Sequence, residues 1–179
     1  MPRPAPPFPE FLATSDFSSR HQTVVRGSAA AAFAAIRHLD LGRSRLIRTL
    51  FRLRGLPPSA QTLDGLSRLG FVPLLEAPDH ALVMGVVGRF WSPRGQLQRL
   101  TVDGFREFNR PGWAKAVWSF VIEPIGTDRV RLVTETHIRC FGAVARRGFG
   151  RYWFLVGPFS GLIRRESLRL ARQSIERQP

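Results

Sequence analysis

Glu135 and His137 stand two residues apart in RVRLVTETHIRC, a stretch whose β-branched content marks a strand. On a strand, side chains at that spacing leave from the same face. A carboxylate beside an imidazole can fix the ring's tautomer and form a general base. Arg131 and Arg139 fall on the same face, whereas the other face carries Val130, Leu132, Ile138 and Cys140, with Thr134 and Thr136 among them. Two readings follow. The pair is catalytic if its face lines a cavity, and it is part of an ion-pair network if that face meets solvent or a sheet edge. The more apolar opposite face favours the network, and the direction of the two side chains decides.

Other reactive groups are sparse. His21, His38 and His80 are scattered without HxxxH or HExxH spacing, so no metal site is expected. Cys140 is the single cysteine, which leaves no internal disulfide framework. Neither a G-x-S-x-G elbow nor a Walker loop is present, and no cofactor is expected. Arg89, beside Phe90 and Trp91, could meet a ligand carboxylate or phosphate, or else stack on Trp91 as a cation–π contact. Arg164 lies at the margin of an apolar helical stripe, where it either reaches a cavity mouth or is solvated.

These residues must be positioned by a short list of elements. SSRHQTVVRG (18–27) reads as a first strand, and Ser28 as the N-cap of an alanine-rich helix ending near Gly42. Ser44 caps a second helix, RLIRTLFRLR, with Leu46, Ile47, Leu50, Phe51 and Leu53 on its apolar side and Arg45, Arg48 and Arg52 opposite. Gly55 and Pro57-Pro58 stop it, and TLDGLSRLG (62–70) adds a further turn or two. About six strands follow from Phe71, including GQLQRLTVDG and FREFNRPG, with short turns that require antiparallel pairing. The fold class is α+β. In WAKAVWSFVI, Ala114, Ala116, Trp118, Phe120 and Ile122 form one apolar face; in LVMGVVGRF, Leu82, Met84, Val86 and Phe90 share another. Gly85 and Gly88 read as a bend or bulge.

Residues 149–176 form a long terminal helix. Phe149, Tyr152, Trp153, Val156, Phe159, Ile163, Leu170 and Ala171 fall on one stripe, with Arg151, Arg165, Arg169, Arg172 and Glu176 opposite. Ser160, Ser167 and Ser174 recur in the apolar stripe, serving either close helix–sheet packing or the lining of a cavity. Gly157-Pro158 predicts a kink or a fresh helix start. Residues 1–16, rich in proline, read as a flexible lead before a single domain at 17–179. The net charge of +14 comes almost wholly from arginine, since Lys115 is the only lysine. Spread along the chain rather than blocked, that charge reads first as a solvated surface. No apolar run approaches the ~20 residues of a membrane span, so the default location is cytoplasmic.

In element order the chain resembles the START-related SRPBCC superfamily, the helix-grip fold of lipid-transfer domains, plant pathogenesis-related proteins and polyketide cyclases. The blocks LVMGVVGRFW, RPGWAKAVWSF, VRLVTETHIRC and RYWFLVGPFSGLIRRESL look like those of a bacterial branch with no assigned activity, and the resemblance covers nearly all the chain after about residue 17. It implies a seven-stranded antiparallel sheet curved around the C-terminal helix, two to three short helices between strands 1 and 2, and an apolar cavity between sheet and helix. The residues expected to line that cavity are Leu82, Met84, Val86, Phe90, Ala116, Trp118, Phe120, Thr134, Thr136, Trp153, Val156, Phe159, Ser160, Ile163 and Ser167, with Arg89 and Arg164 as polar anchors. The expected function is binding, transport or sensing of a small hydrophobic molecule such as a lipid, isoprenoid or polyketide-like aromatic. The rivals are a cyclase or dehydratase using Glu135 or His137, and a basic module for anionic membrane or, less expected, nucleic acid. The chain is expected as a monomer or homodimer.

Overall fold

Runs of β-branched and aromatic residues pair where tight turns bring them side by side. In the computed structural model, which describes residues 9–92 and 96–177, β4 (Ala114–Ile125) and β5 (Arg129–Cys140) turn at Gly126 and pair from Ala114–Cys140 to Ile125–Arg129. With β1 (Phe17–Arg26), β2 (Val72–Ala77) and β3 (Ala81–Gly88) they make one sheet in the order β1-β5-β4-β3-β2, antiparallel throughout. Three short helices, α1 (Ala29–Arg37), α2 (Arg45–Leu53) and α3 (Leu63–Leu69), separate β1 from β2. Each starts at a hydroxyl, Ser28, Ser44 or Thr62, that accepts from the backbone amide three residues on. A one-and-a-half-turn helix, α4 (Val102–Glu107), precedes β4, and α5 (Ala143–Ile175) closes the chain with 33 residues.

The sheet separates two cores. On one face, Leu168, Leu170, Ala171 and Ile175 of α5 pack with Ala32, Ala35 and Ile36 of α1 against Leu82, Phe120, Ile122, Val130 and Leu132. On the other, Phe105 of α4 and the N-terminal pair Phe11 and Leu12 cover Val72, Leu74, Val83, Val87 and Val117. Among the described residues, no helix is long and apolar enough to cross a membrane.

Four expectations are corrected. The sheet has five strands among the described residues, not seven. Of the two missing strands, GQLQRLTVDG contributes one isolated bridge, Gln98 to Val87, and FREFNRPG is consumed by α4 and the loop after it. Local capping and one aromatic ring explain the helix. Thr101 Oγ1 accepts from the Gly104 amide at 3.1 Å, and a single helical turn then carries Phe105 to complete burial. No bulge falls at Gly85, whose pairing with Val117 keeps register; a Cβ there would lie 2.7 Å from the Phe105 ring, so glycine provides the seat. The register shift falls instead on β2, between Pro73 and Leu75.

Phe11, Leu12 and Asp16, inside the expected flexible lead of 1–16, are held by the fold. Residues 1–8 lie outside the described residues, but Phe11 and Leu12 are buried, and Asp16 accepts from the Cys140 amide at 2.7 Å and pairs with Arg146 at 3.0 Å. At Pro158, α5 continues as one helix with no fresh start.

Candidate functional site

Two cross-strand rows define the wall of a cavity. Val86, Ala116 and Ile138 face one another across β3, β4 and β5, and so do Met84, Trp118 and Thr136. Ala116 has only a methyl where its neighbours are large, which leaves space above the sheet. The cavity volume is about 650 Å³, within the roughly 300–1,000 Å³ of sites for small ligands. Its roof is α5, through Phe149, Tyr152, Trp153, Val156, Phe159, Ser160, Ile163 and Arg164. Its side is the end of α2 and the segment after it, with Phe51, Leu53, Arg54, Gly55 and Leu56, and then Leu66 and Leu69 of α3.

One end of the cavity is aromatic. Around Phe149, ring centroids lie at 5.0 Å for Phe17, 5.6 Å for Trp153, 5.7 Å for Tyr152 and 6.2 Å for both Phe90 and Trp91. Offset and edge-to-face arrangements of this kind hold rings rigidly. The mouth lies between α2 and α5, where two lining residues, Leu53 and Phe159, are 81% and 47% exposed. Arg54 spans it. Its guanidinium donates to the Phe90 carbonyl and lies 4.7 Å from the centroid of the Tyr152 ring. Burial pushes the Tyr152 hydroxyl's pKa up, against the opposing pull of Arg54.

The polar groups on the wall are few. Trp118 donates through Nε1 to Thr134 Oγ1 at 2.9 Å, which fixes its indole. The Arg164 guanidinium lies 4.1 Å from the centroid of that indole. Arg164 Nε and Thr136 Oγ1 are shielded from solvent and have no hydrogen-bond partner. Burial pushes the pKa of Arg164 down to about 9, so the group is still a cation at neutral pH.

The structure brings together Met84, Val86, Phe90, Ala116, Trp118, Thr136, Trp153, Val156, Phe159, Ser160, Ile163 and Arg164 of the residues expected to line a cavity. Five others lie elsewhere. Leu82, Phe120 and Thr134 form the next cross-strand row, which is packed solid in the core; Thr134 is an anchor for Trp118, not for a ligand. Ser167 turns its hydroxyl back to the Ile163 carbonyl at 2.7 Å, a helix-internal bond that hides a small polar group in the core. Arg89 stacks at 4.9 Å on Trp113, not Trp91, and does not line the cavity. Sequence reasoning missed the contribution of Phe51, Leu66 and Leu69 and the bridging role of Arg54. Leu53, placed on the apolar side of α2 by its spacing, is instead 81% exposed.

Glu135 and His137 face away from the cavity, on the opposite side of β5 from Thr134 and Thr136. His137 Nε2 is 3.1 Å from Glu135 Oε2, Arg20 Nε is 2.9 Å from Glu135 Oε1, and Ser15 Oγ lies 3.4 Å from His137 Nδ1. With Arg131 on Glu123 at 3.0 Å, these form ion pairs across the outer face of β1, β4 and β5. The described residues lining the cavity include no Asp, Glu or His. Among the described residues no group of three or more His, Cys, Asp or Glu is placed to hold a metal ion. No family model matches the chain, and no curated protein matches it.

Proposed function

We propose that the protein binds a small, largely hydrophobic molecule between the sheet and α5, in the manner of a helix-grip carrier or sensor acting in the cytoplasm. One observation supports this above the rest: an apolar cavity of about 650 Å³ with an open side between α2 and α5. A ligand burying about 200 Å² of apolar surface there would gain roughly 5 kcal/mol, at ~25 cal/mol per Å², before the cost of association. Acid–base catalysis is the poorer fit, because the lining lacks carboxylate and imidazole. The test is native mass spectrometry of freshly purified protein, with extraction of anything bound and titration of the neutral fluorophore N-phenyl-1-naphthylamine. A discrete co-purifying mass, or a saturable fluorescence rise, is the expected result. A bare mass together with no fluorescence rise overturns the reading.

A second reading, contact with an anionic membrane surface, is favoured by exposed side chains of α2 and α5. Leu53, Phe154, Leu155, Phe159 and Leu162 are all exposed large apolar side chains on α2 and α5, and Arg45, Arg52, Arg151 and Arg165 are exposed on the same two helices. Apolar side chains beside cations suit the boundary between headgroups and acyl chains. Co-sedimentation with vesicles containing phosphatidylglycerol, lost in Phe154→Glu/Leu155→Glu and absent with phosphatidylcholine alone, is the outcome that supports it. Equal binding by the variant counts against it.

A further inference from the structure

An unpaired cation on an apolar wall needs an explanation. Removing a guanidinium from water is costly unless an anion and hydrogen-bond acceptors replace the lost hydration. Arg164 has neither among the described residues. No ion pair joins it to an acid, its Nε has no acceptor, and its one contact of charge type is the face of Trp118. Glu166, the nearest acid in sequence, is held by Arg169 through two bonds at 2.8 and 2.6 Å. Thr136 is the cross-strand partner of Trp118 on β5, so its unpartnered hydroxyl lies beside the same indole, and both residues line the cavity. Two donors without a protein partner, Arg164 Nε on α5 and the Thr136 hydroxyl on β5, thus neighbour the same indole from two elements of the cavity. Arg presents a planar fork that fits a carboxylate or phosphate, and a threonine hydroxyl supplies a further donor. Ser160 lines the same wall one helical turn before Arg164.

We propose that the ligand of this cavity is an amphiphile bearing one oxyanion, a carboxylate or a phosphate monoester, which binds Arg164 and Thr136 while its apolar body fills the space towards the Phe149 rings. The inference rests on the cavity being a binding site. Its test therefore separates the two. With the full-length protein at neutral pH and N-phenyl-1-naphthylamine bound, displacement is measured by dodecanoate, dodecyl phosphate and the uncharged dodecan-1-ol. At least one of the two anions should displace the fluorophore about tenfold or more better than the alcohol, the size of one charge-assisted hydrogen bond. In Arg164→Met that advantage should vanish while the fluorophore still binds; in Arg164→Lys part of it should remain. If the fluorophore binds wild-type protein but neither anion outcompetes the alcohol, the oxyanion site is wrong and the cavity reading survives. An advantage undiminished in Arg164→Met overturns it equally. Failure of the fluorophore to bind together with a bare native mass removes both, whereas a co-purifying molecule that bears no oxyanion removes the oxyanion site alone.

Discussion

Arg164 combines properties that conflict: it is charged, only partly exposed, and its shielded Nε has no hydrogen-bond partner. Buried charges replaced by apolar residues of similar volume commonly leave a fold unchanged or more stable by about 1–4 kcal/mol. Arg164→Met should therefore raise the thermal midpoint of the ligand-free protein, despite losing the contact with Trp118, as measured by calorimetry. A lowered midpoint would make the cation–π contact the reason for the arginine. The same charge acts on His21 across the helix–sheet interface. Burial, then Arg165 and Arg164, hold the His21 pKa below its usual 6.5. The unfolded chain thus takes up this proton before the folded one does, and stability falls as pH drops through the window below 6.5. His21→Gln should flatten that part of the stability profile, seen in denaturant midpoints taken from pH 7 downwards. At Cys140 burial, then the charge of Asp16, pushes the thiol up to about 12, so it stays protonated and should resist aromatic disulfide reagents at neutral pH until the protein is unfolded.

The elements were legible to different degrees, for physical reasons. α1 and α2 could be read from their hydroxyl caps, and β4 and β5 from the length of their alternation and the Gly126 turn, because these signals are local. The direction of Glu135 and His137 followed from the apolar row opposite them. What failed is decided by distant partners. Nothing within 95–109 records that Phe105 has a seat at Gly85, some twenty residues earlier, so a β-looking segment became a helix. Thr134 and Thr136 are equivalent in sequence, yet the Trp118 indole takes one hydroxyl and leaves the other buried without a partner. The segment after α2 includes Gly55, at φ +71° with open space around it. Its fastening is Arg54, whose bonds to Phe90 and Tyr152 tie α2 to β3 and α5 at the mouth. Arg54→Ala should speed both loading and release of N-phenyl-1-naphthylamine in stopped-flow traces, by several-fold, with little change in affinity. Unchanged rates would place the entrance elsewhere.

At the scale of the whole molecule, the cavity lies between two buried clusters that hold α5 at separate places: Ala145 and Phe149 at one end, Leu168 to Ile175 at the other. Between Phe149 and Ser167 no residue of α5 is fully buried. Filling the space should join the clusters, and a ligand at a hundred times its dissociation constant adds about 2.7 kcal/mol to stability. The unburied middle also contains Pro158, which has no amide hydrogen to give the Phe154 carbonyl. A rod clamped at both ends and missing a rung at its centre bows there first. Amide deuteration should accordingly be fastest near residues 154–162 in the empty protein and slow when the space beneath is occupied, while the two clamped ends keep their protection in both states.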